Sequence, residues 1–219
     1  MQAGYVGPMR ITKFGHACVR LEHDHHVLVV DPGAFTEMEA VDGATAVLVT
    51  HEHLDHLDLD RLRATDAPIW TIEAVRTQIA DGDPAVAERV TVVSPGAQFD
   101  AGLPVTAVGE LHAVIHEDLP RFYNSGYVVD VGDTRVYHPG DSFTPPGGPV
   151  DVLFLPIHAP WSRISEVIDF AREVGAPRSV AVHDGLLNDT GLAVVGRNLD
   201  NLLPEGSYQR LEPGSDLGV

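Results

Sequence analysis

Positive charge is scarce in this chain: 14 Lys and Arg stand against 32 Asp and Glu, for a formal net charge of −18. The cations are scattered, the densest stretch being Arg61-Leu62-Arg63. A nucleic-acid partner needs a basic stripe to meet its phosphate backbone. Nucleic acid is therefore disfavoured, although a short phosphate group held through a metal is not. Cysteine is nearly absent. Cys18 alone cannot form an intrachain disulfide, and a zinc site built on thiolates is excluded. Within Ala17-Cys18-Val19 it reads as a buried, inert thiol. No apolar run approaches the ~18 residues a membrane span needs. Residues 5–10 lack the apolar stretch and small-residue cleavage site of a secretory signal. These absences lead us to expect a cytoplasmic protein with no membrane partner. No repeat, Ser/Gly-rich linker or charge block marks a domain boundary. The expectation for these 219 residues is a loose extension over residues 1–8 and a single domain over residues 9–219.

What is present is a succession of short strands, with helices following in each half. Residues 9–14 alternate like a strand, and residues 19–22 and 27–30 flank the polar turn His23-Asp24-His25-His26. Residues 46–50 form a continuous apolar run, as a buried strand would. Residues 58–63 and 73–80 have helical spacing, separated by a strand at 69–71. Strands are expected again at 104–108, 126–131, 135–138, 152–156 and 179–182, with Gly132-Asp133 as a hairpin turn. Helices are expected at 162–174, where apolar residues recur at 164, 167, 168 and 171, and at 190–203. This pattern suggests an α/β fold in which two sheets pack face to face with helices outside, in four layers.

The sharpest chemical signal is His51-Glu52-His53-Leu54-Asp55-His56, delivered to a strand end by residues 46–50. Strand ends are the usual place for a site in an α/β sheet. From an extended segment, His51 and His53 can point the same way and share one cation. Asp55 and His56 then turn towards a second. Further donors stand after other predicted strands: His112 after residues 104–108, Asp141 in His138-Pro139-Gly140-Asp141-Ser142, and His183 after residues 179–182. A lone histidine at a strand end is usually a hydrogen-bonded surface residue, but three such residues beside a His-rich motif point to metal. His116 lies four residues after His112; on a helix the two would face the same way, so either could be the ligand. His116 could instead meet substrate and donate a proton. His16 could belong to the site or be a buried, hydrogen-bonded histidine. His138 could fix the Asp141 carboxylate. His158 and Trp161 could line the mouth, Asp31 could orient a ligand or only make a turn, and His23, His25 and His26 read as an exposed turn.

With these residues, the chain resembles the metallo-β-lactamase-fold hydrolase superfamily, and within it a small, single-domain branch that includes L-ascorbate-phosphate lactonase-like proteins. The matching pieces are Phe14-Gly15-His16-Ala17-Cys18-Val19, Asp31-Pro32-Gly33, residues 50–56, Gly126-Tyr127, Tyr137-His138-Pro139-Gly140-Asp141-Ser142, Leu155-Pro156-Ile157 and Val182-His183. The resemblance implies a four-layered αβ/βα sandwich with the site along one edge. It implies that His51, His53 and His112 bind one metal, that Asp55, His56 and His183 bind a second, and that Asp141 bridges them. Imidazole and carboxylate without thiolate suit Zn²⁺, with Mn²⁺ or Fe as alternatives. Diiron oxygen-reducing relatives place a carboxylate where this chain has His53, which favours hydrolysis.

Two cations ~3.5–4 Å apart can hold a water between them and lower its pKa from 15.7 towards 7. The expected activity is therefore hydrolysis of a small ester, lactone or phosphodiester by a bridging hydroxide, with Asp55 orienting the nucleophile. No Gly-x-Ser-x-Gly elbow offers a covalent route. Other readings are a ribonuclease Z-like nuclease, opposed by the acidic charge, and a glyoxalase II-type thioesterase, which would bring a longer C-terminal helical region. A β-lactamase would be exported. A non-enzymatic metal-binding protein requires a coordinatively closed site. Self-association is left open.

Overall fold

In the computed structural model, which describes residues 9–218, two seven-stranded sheets pack face to face. The first contains β1 (Arg10–Lys13), β2 (Val19–His23), β3 (His26–Val30), β4 (Ala46–Val49), β5 (Ile69–Thr71) and β6 (Val90–Val92). The second is built from β7 (Gln98–Asp100), β8 (Pro104–Val108), β9 (Gly126–Val131), β10 (Thr134–His138), β11 (Val152–Pro156), β12 (Arg178–Val182) and β13 (Tyr208–Gln209). The chain then returns to the first sheet, where β14 (Ser215–Asp216) pairs antiparallel with β1. The extension expected over residues 1–8 lies outside the described residues.

The apolar runs of β4 and β11 are continuous because both faces of each strand are covered. Ala46 and Leu48 face the core between the sheets with Leu28, Val129 and Phe154. Val47 and Val49 face outwards, onto Leu62 of α1 (Leu59–Arg63) and Val75 and Ile79 of α2 (Glu73–Gly82). In β11, Val152 and Phe154 face the inner core. Leu153 and Leu155 meet Val167 and Phe170, and the same cluster includes Leu199. These come from two later helices, which follow the short α3 (Pro84–Ala87): α4 (Ile164–Val174) and α5 (Asp189–Leu202). The result is the expected four-layered α/β sandwich. Helix ends follow local chemistry. Asp58 accepts from the backbone N–H of Asp60 and Arg61 at the start of α1. Gly175, left-handed at φ +64°, closes α4 with its N–H on the carbonyl of Ala171. No helix among the described residues is long and apolar enough to cross a membrane.

Strands β6, β7, β13 and β14, which the sequence reading did not include, are two or three residues long, too short to show alternation. All four are the end strands of their sheets. Helix α3 was also outside that reading, although Asp83-Pro84 supplies both an N-cap and a proline at the first turn. The larger departure is at residues 112–116, which form no helix. The premise that His112 and His116 share a helical face therefore fails.

Candidate metal centre

Strands β3 to β6 run parallel, as do β10 to β12, so the C-terminal ends of each set lie on one edge of its sheet. The donors emerge there. β4 runs into residues 50–56, β8 leads to His112, β10 to Asp141 and β12 to His183. Side-chain ligand atoms converge in two groups, each with all its atoms within 4.8 Å of one another. One is His51, His53, His112 and Asp141; the other is His16, Asp55, His56 and His183. The seven residues put forward as metal ligands are thus brought together, and His16 joins them. His116 is not among them. Its side chain is exposed on the 109–122 loop, with Nδ1 accepting from the backbone N–H of Asp118 at 3.2 Å.

Hydrogen bonding fixes which nitrogen of each imidazole carries the proton. His112 Nδ1 donates to the carbonyl of Ala113, and His183 Nδ1 to that of His158, both at 2.6 Å. His56 Nδ1 donates to Asp31 Oδ2 at 2.7 Å. The Thr50 hydroxyl gives its one proton to the same Oδ2 at 2.8 Å, so it accepts from His51 Nδ1 at 3.0 Å. Each of these rings is left with its Nε2 aimed into the cluster, free to act as a ligand once any proton there is released. The Nε2 atoms of His56, His112 and His183 are buried and have no hydrogen-bond partner, and neither has Asp141 Oδ1. Such atoms are rare in a folded protein because desolvating them costs about 1–3 kcal/mol each. His51 Nε2 lies 3.0 Å from His53 Nδ1. The Asp141 carboxylate sits between the groups, 3.2 Å from His56 Nε2 and 3.3 Å from both His112 and His183.

His16 differs. Its Nδ1 accepts from the backbone N–H of Gly185 at 3.1 Å, which leaves the proton on Nε2, 3.0 Å from Asp55 Oδ2. His16 is a donor to Asp55. Burial lowers its pKa and keeps it neutral.

The carboxylates set the charge of the site. Burial opposes protonation of His183, yet Asp141 and Asp55 outweigh it and push its pKa up to about 9. Burial is likewise outweighed at His56, which Asp141 and Asp31 hold well above the ordinary histidine range. His51 is driven well below that range by burial and by His56 beside it. Burial would raise Asp55 and Asp141, but the imidazoles around each hold both below the usual carboxylate range.

The loops that carry these groups are tightly constrained. His16, Asp31 and His183 are left-handed, at φ +56°, +51° and +58°, a conformation that costs a non-glycine residue energy and collects at functional sites. A Cβ on Gly33 would overlap the backbone of Asp55, and one on Gly140 would overlap the Asn124 amide oxygen and Thr50. Asn124 is buried and ties the turn together, donating to the carbonyl of Pro139 and accepting from the N–H of Asp141. His138 does not reach the Asp141 carboxylate as the sequence suggested. It donates to the carbonyl of Ala17 at 2.8 Å and accepts from the N–H of Gly140, because its ring turns towards the inter-sheet core. The donor to that carboxylate is the Trp161 indole N–H, at 2.9 Å on Oδ2. Asp31 both makes its turn and orients His56.

Behind His183, Lys13 is almost fully buried and pairs with Asp184 at 2.7 Å, while Arg210 takes the other oxygen of Asp184 at 2.8 Å. Asn124 and Lys13 carried no sequence signal, since an amide in a loop and a lysine in a strand are both commonplace, and Thr50 fell within the matching piece 50–56 without a role assigned to it.

The profile of a family described as a beta-lactamase superfamily domain matches residues 10–183. A Mycobacterium tuberculosis protein, Rv0786c, is 40% identical over 187 residues, covering 82% of this chain and 85% of its own. A UPF0173 metal-dependent hydrolase of Archaeoglobus fulgidus is 30% identical over 146 residues, 61% of this chain and 62% of its own. Among solved structures, the metallo hydrolase Igni18 of Ignicoccus hospitalis superposes with a TM-score of 0.72 at 19% identity, covering 95% of this chain and 97% of that one.

Proposed function

The chain belongs to the beta-lactamase superfamily, and from that premise we propose that its paired side-chain clusters are the centre of a metal-dependent hydrolase. The observation that carries the reading is the set of buried, unpartnered Nε2 atoms on His56, His112 and His183, gathered around the Asp141 carboxylate, whose Oδ1 is likewise unpartnered. Those atoms fit divalent cations: each ring offers a lone pair once Nε2 is deprotonated, and its other nitrogen is held by an acceptor that fixes its orientation. His51, His53 and His112 would hold one cation, and Asp55, His56 and His183 a second, with Asp141 reaching both. Imidazole and carboxylate donors without thiolate suit Zn²⁺, and Mn²⁺ or Fe could use the same set. Bound there, such ions supply Lewis acidity and bring the pKa of water towards neutrality.

The protein's own groups do the rest. His16 holds the Asp55 carboxylate through a neutral Nε2–H, so Asp55 stays ionised and can orient the attacking water. Trp161 holds Asp141 between the clusters. The substrate class we favour is a small ester, lactone or phosphodiester, supported by the acidic charge of −18, which works against a polyanion.

The test is turnover by metal-loaded protein on a panel of lactones, phosphodiesters and thioesters, with Asp55→Ala as the blank. Hydrolysis of one class, lost in the variant by a factor of about 100 or more, supports the reading. Metal bound with no turnover on any class would favour a metal protein that is not an enzyme. The lactone arm addresses the likeness to L-ascorbate-phosphate lactonase-like proteins.

A further inference from the structure

Near the edge that carries the imidazoles, at the ends of β5 and β6, lies a cavity of about 510 Å³. Its floor comes from the ends of β5 and β6, through Ile72, Val92, Val93 and Pro95, and Tyr123 contributes a wall. The cavity and the metal centre share structure. Ser125, in the cavity lining, donates its backbone N–H to the carbonyl of Thr50, the residue before His51. Tyr123 follows Phe122, whose ring meets His53 edge-on at a centroid distance of 4.6 Å. Glu110 precedes His112 by two residues.

The chemistry of the walls is one-sided. Among the described residues, no Lys, Arg or His lines the cavity, whereas Glu73 and Glu110 both do. Two large apolar side chains of the lining, Val92 and Tyr123, also stand exposed. Exposed apolar groups gathered around one cleft mark a binding surface, and the volume is that of a small-molecule site.

We propose that this cavity receives the non-reacting arm of the substrate, and that the arm is apolar and carries no negative charge. The proposal rests on the hydrolase reading only for the arm's attachment to a scissile group. The cavity's own preference can be measured without turnover. Apolar burial strengthens binding about fourfold per methylene, while a lining with Glu110, and with Glu73 already paired to Arg76 at 3.3 Å, offers no free cation to an anionic arm.

The probes are a matched pair, neutral N-phenyl-1-naphthylamine and its anionic counterpart 1-anilinonaphthalene-8-sulfonate, titrated by fluorescence. The neutral probe should bind at least tenfold more tightly than the sulfonate, and Ala74→Trp, which fills the cavity, should weaken it at least tenfold. Because Ala74→Trp could disturb α2, Val92→Asp on the exposed strand β6 provides a second variant with the same expected loss. Glu73→Lys with Glu110→Lys should reverse the preference. On metal-loaded protein, KM for alkanoate esters should fall along the series acetate, butyrate, hexanoate, and the neutral probe should compete. Equal binding of both probes, or binding unchanged in both Ala74→Trp and Val92→Asp, would overturn the proposal. Probe binding that leaves hydrolysis uninhibited would overturn the assignment to substrate. Absence of hydrolysis alongside selective probe binding would instead count against the proposed function.

Discussion

At the scale of single residues, the site is governed by where protons sit. Asp31 is fully buried and accepts from the backbone N–H of Thr50, the Thr50 hydroxyl and His56 Nδ1. In Asp31→Asn, an amide N–H would face His56 Nδ1 and push the imidazole proton to Nε2, where the lone pair should be. We expect the fold to persist and affinity for divalent metal to fall about ten- to a hundredfold, as for other partners of metal-binding histidines. Titration with a metal-sensitive dye checks this, and unchanged affinity would mean that Asp31 only makes a turn. The same logic separates His16 from the ligands: His16→Gln, which can still donate to Asp55, should retain more metal affinity than His56→Gln.

At the scale of elements, the strand ends explain both what the sequence revealed and what it concealed. Strand β4 was legible because both its faces are buried, and the histidines after it because their spacing is short and local. His112, Asp141 and His183 were legible as residues after strands. The choice between His112 and His116 was not, because it depended on whether the intervening loop is helical. Trp161 on Asp141, and Asn124 beneath Gly140, lie 20 and 17 residues from Asp141 in sequence. Such long-range contacts leave no periodic trace.

Gly140 was visible within its motif, but its role was not. It sits at φ +61° against Asn124 and Thr50. Gly140→Ala should cost more than about 2 kcal/mol through backbone strain and overlap. It should also displace Asp141, lowering metal affinity together with stability. Phe154→Ala, in the core between the sheets, should cost about 3–5 kcal/mol while leaving metal stoichiometry unchanged in the protein that remains folded. Urea unfolding with parallel metal analysis distinguishes the two.

Over the whole molecule, the balance of charge decides how the centre responds to pH. The protein is strongly acidic, yet at its metal centre carboxylates are outnumbered by imidazoles. In the metal-free protein His183 holds a proton up to about pH 9, and His56 is held above the ordinary range as well. A cation must displace those protons, so affinity should rise with pH towards about 9 and level off above it. Calorimetry at pH 7 in two buffers of different ionisation enthalpy should record the release of about one to two protons as the site fills. Proton-neutral binding would show that these histidines are not ligands. The linkage for stability has the opposite sense. A pKa raised from 6.5 to about 9 stabilises the metal-free fold below pH 6.5, and that contribution is lost as pH rises through 9.

The most direct test of the central claim is elemental analysis of the purified chain after dialysis at neutral pH. The paired clusters predict close to two divalent ions per chain, falling below one in Asp141→Ala, whose carboxylate touches both groups. A folded protein that binds no divalent metal would contradict the account.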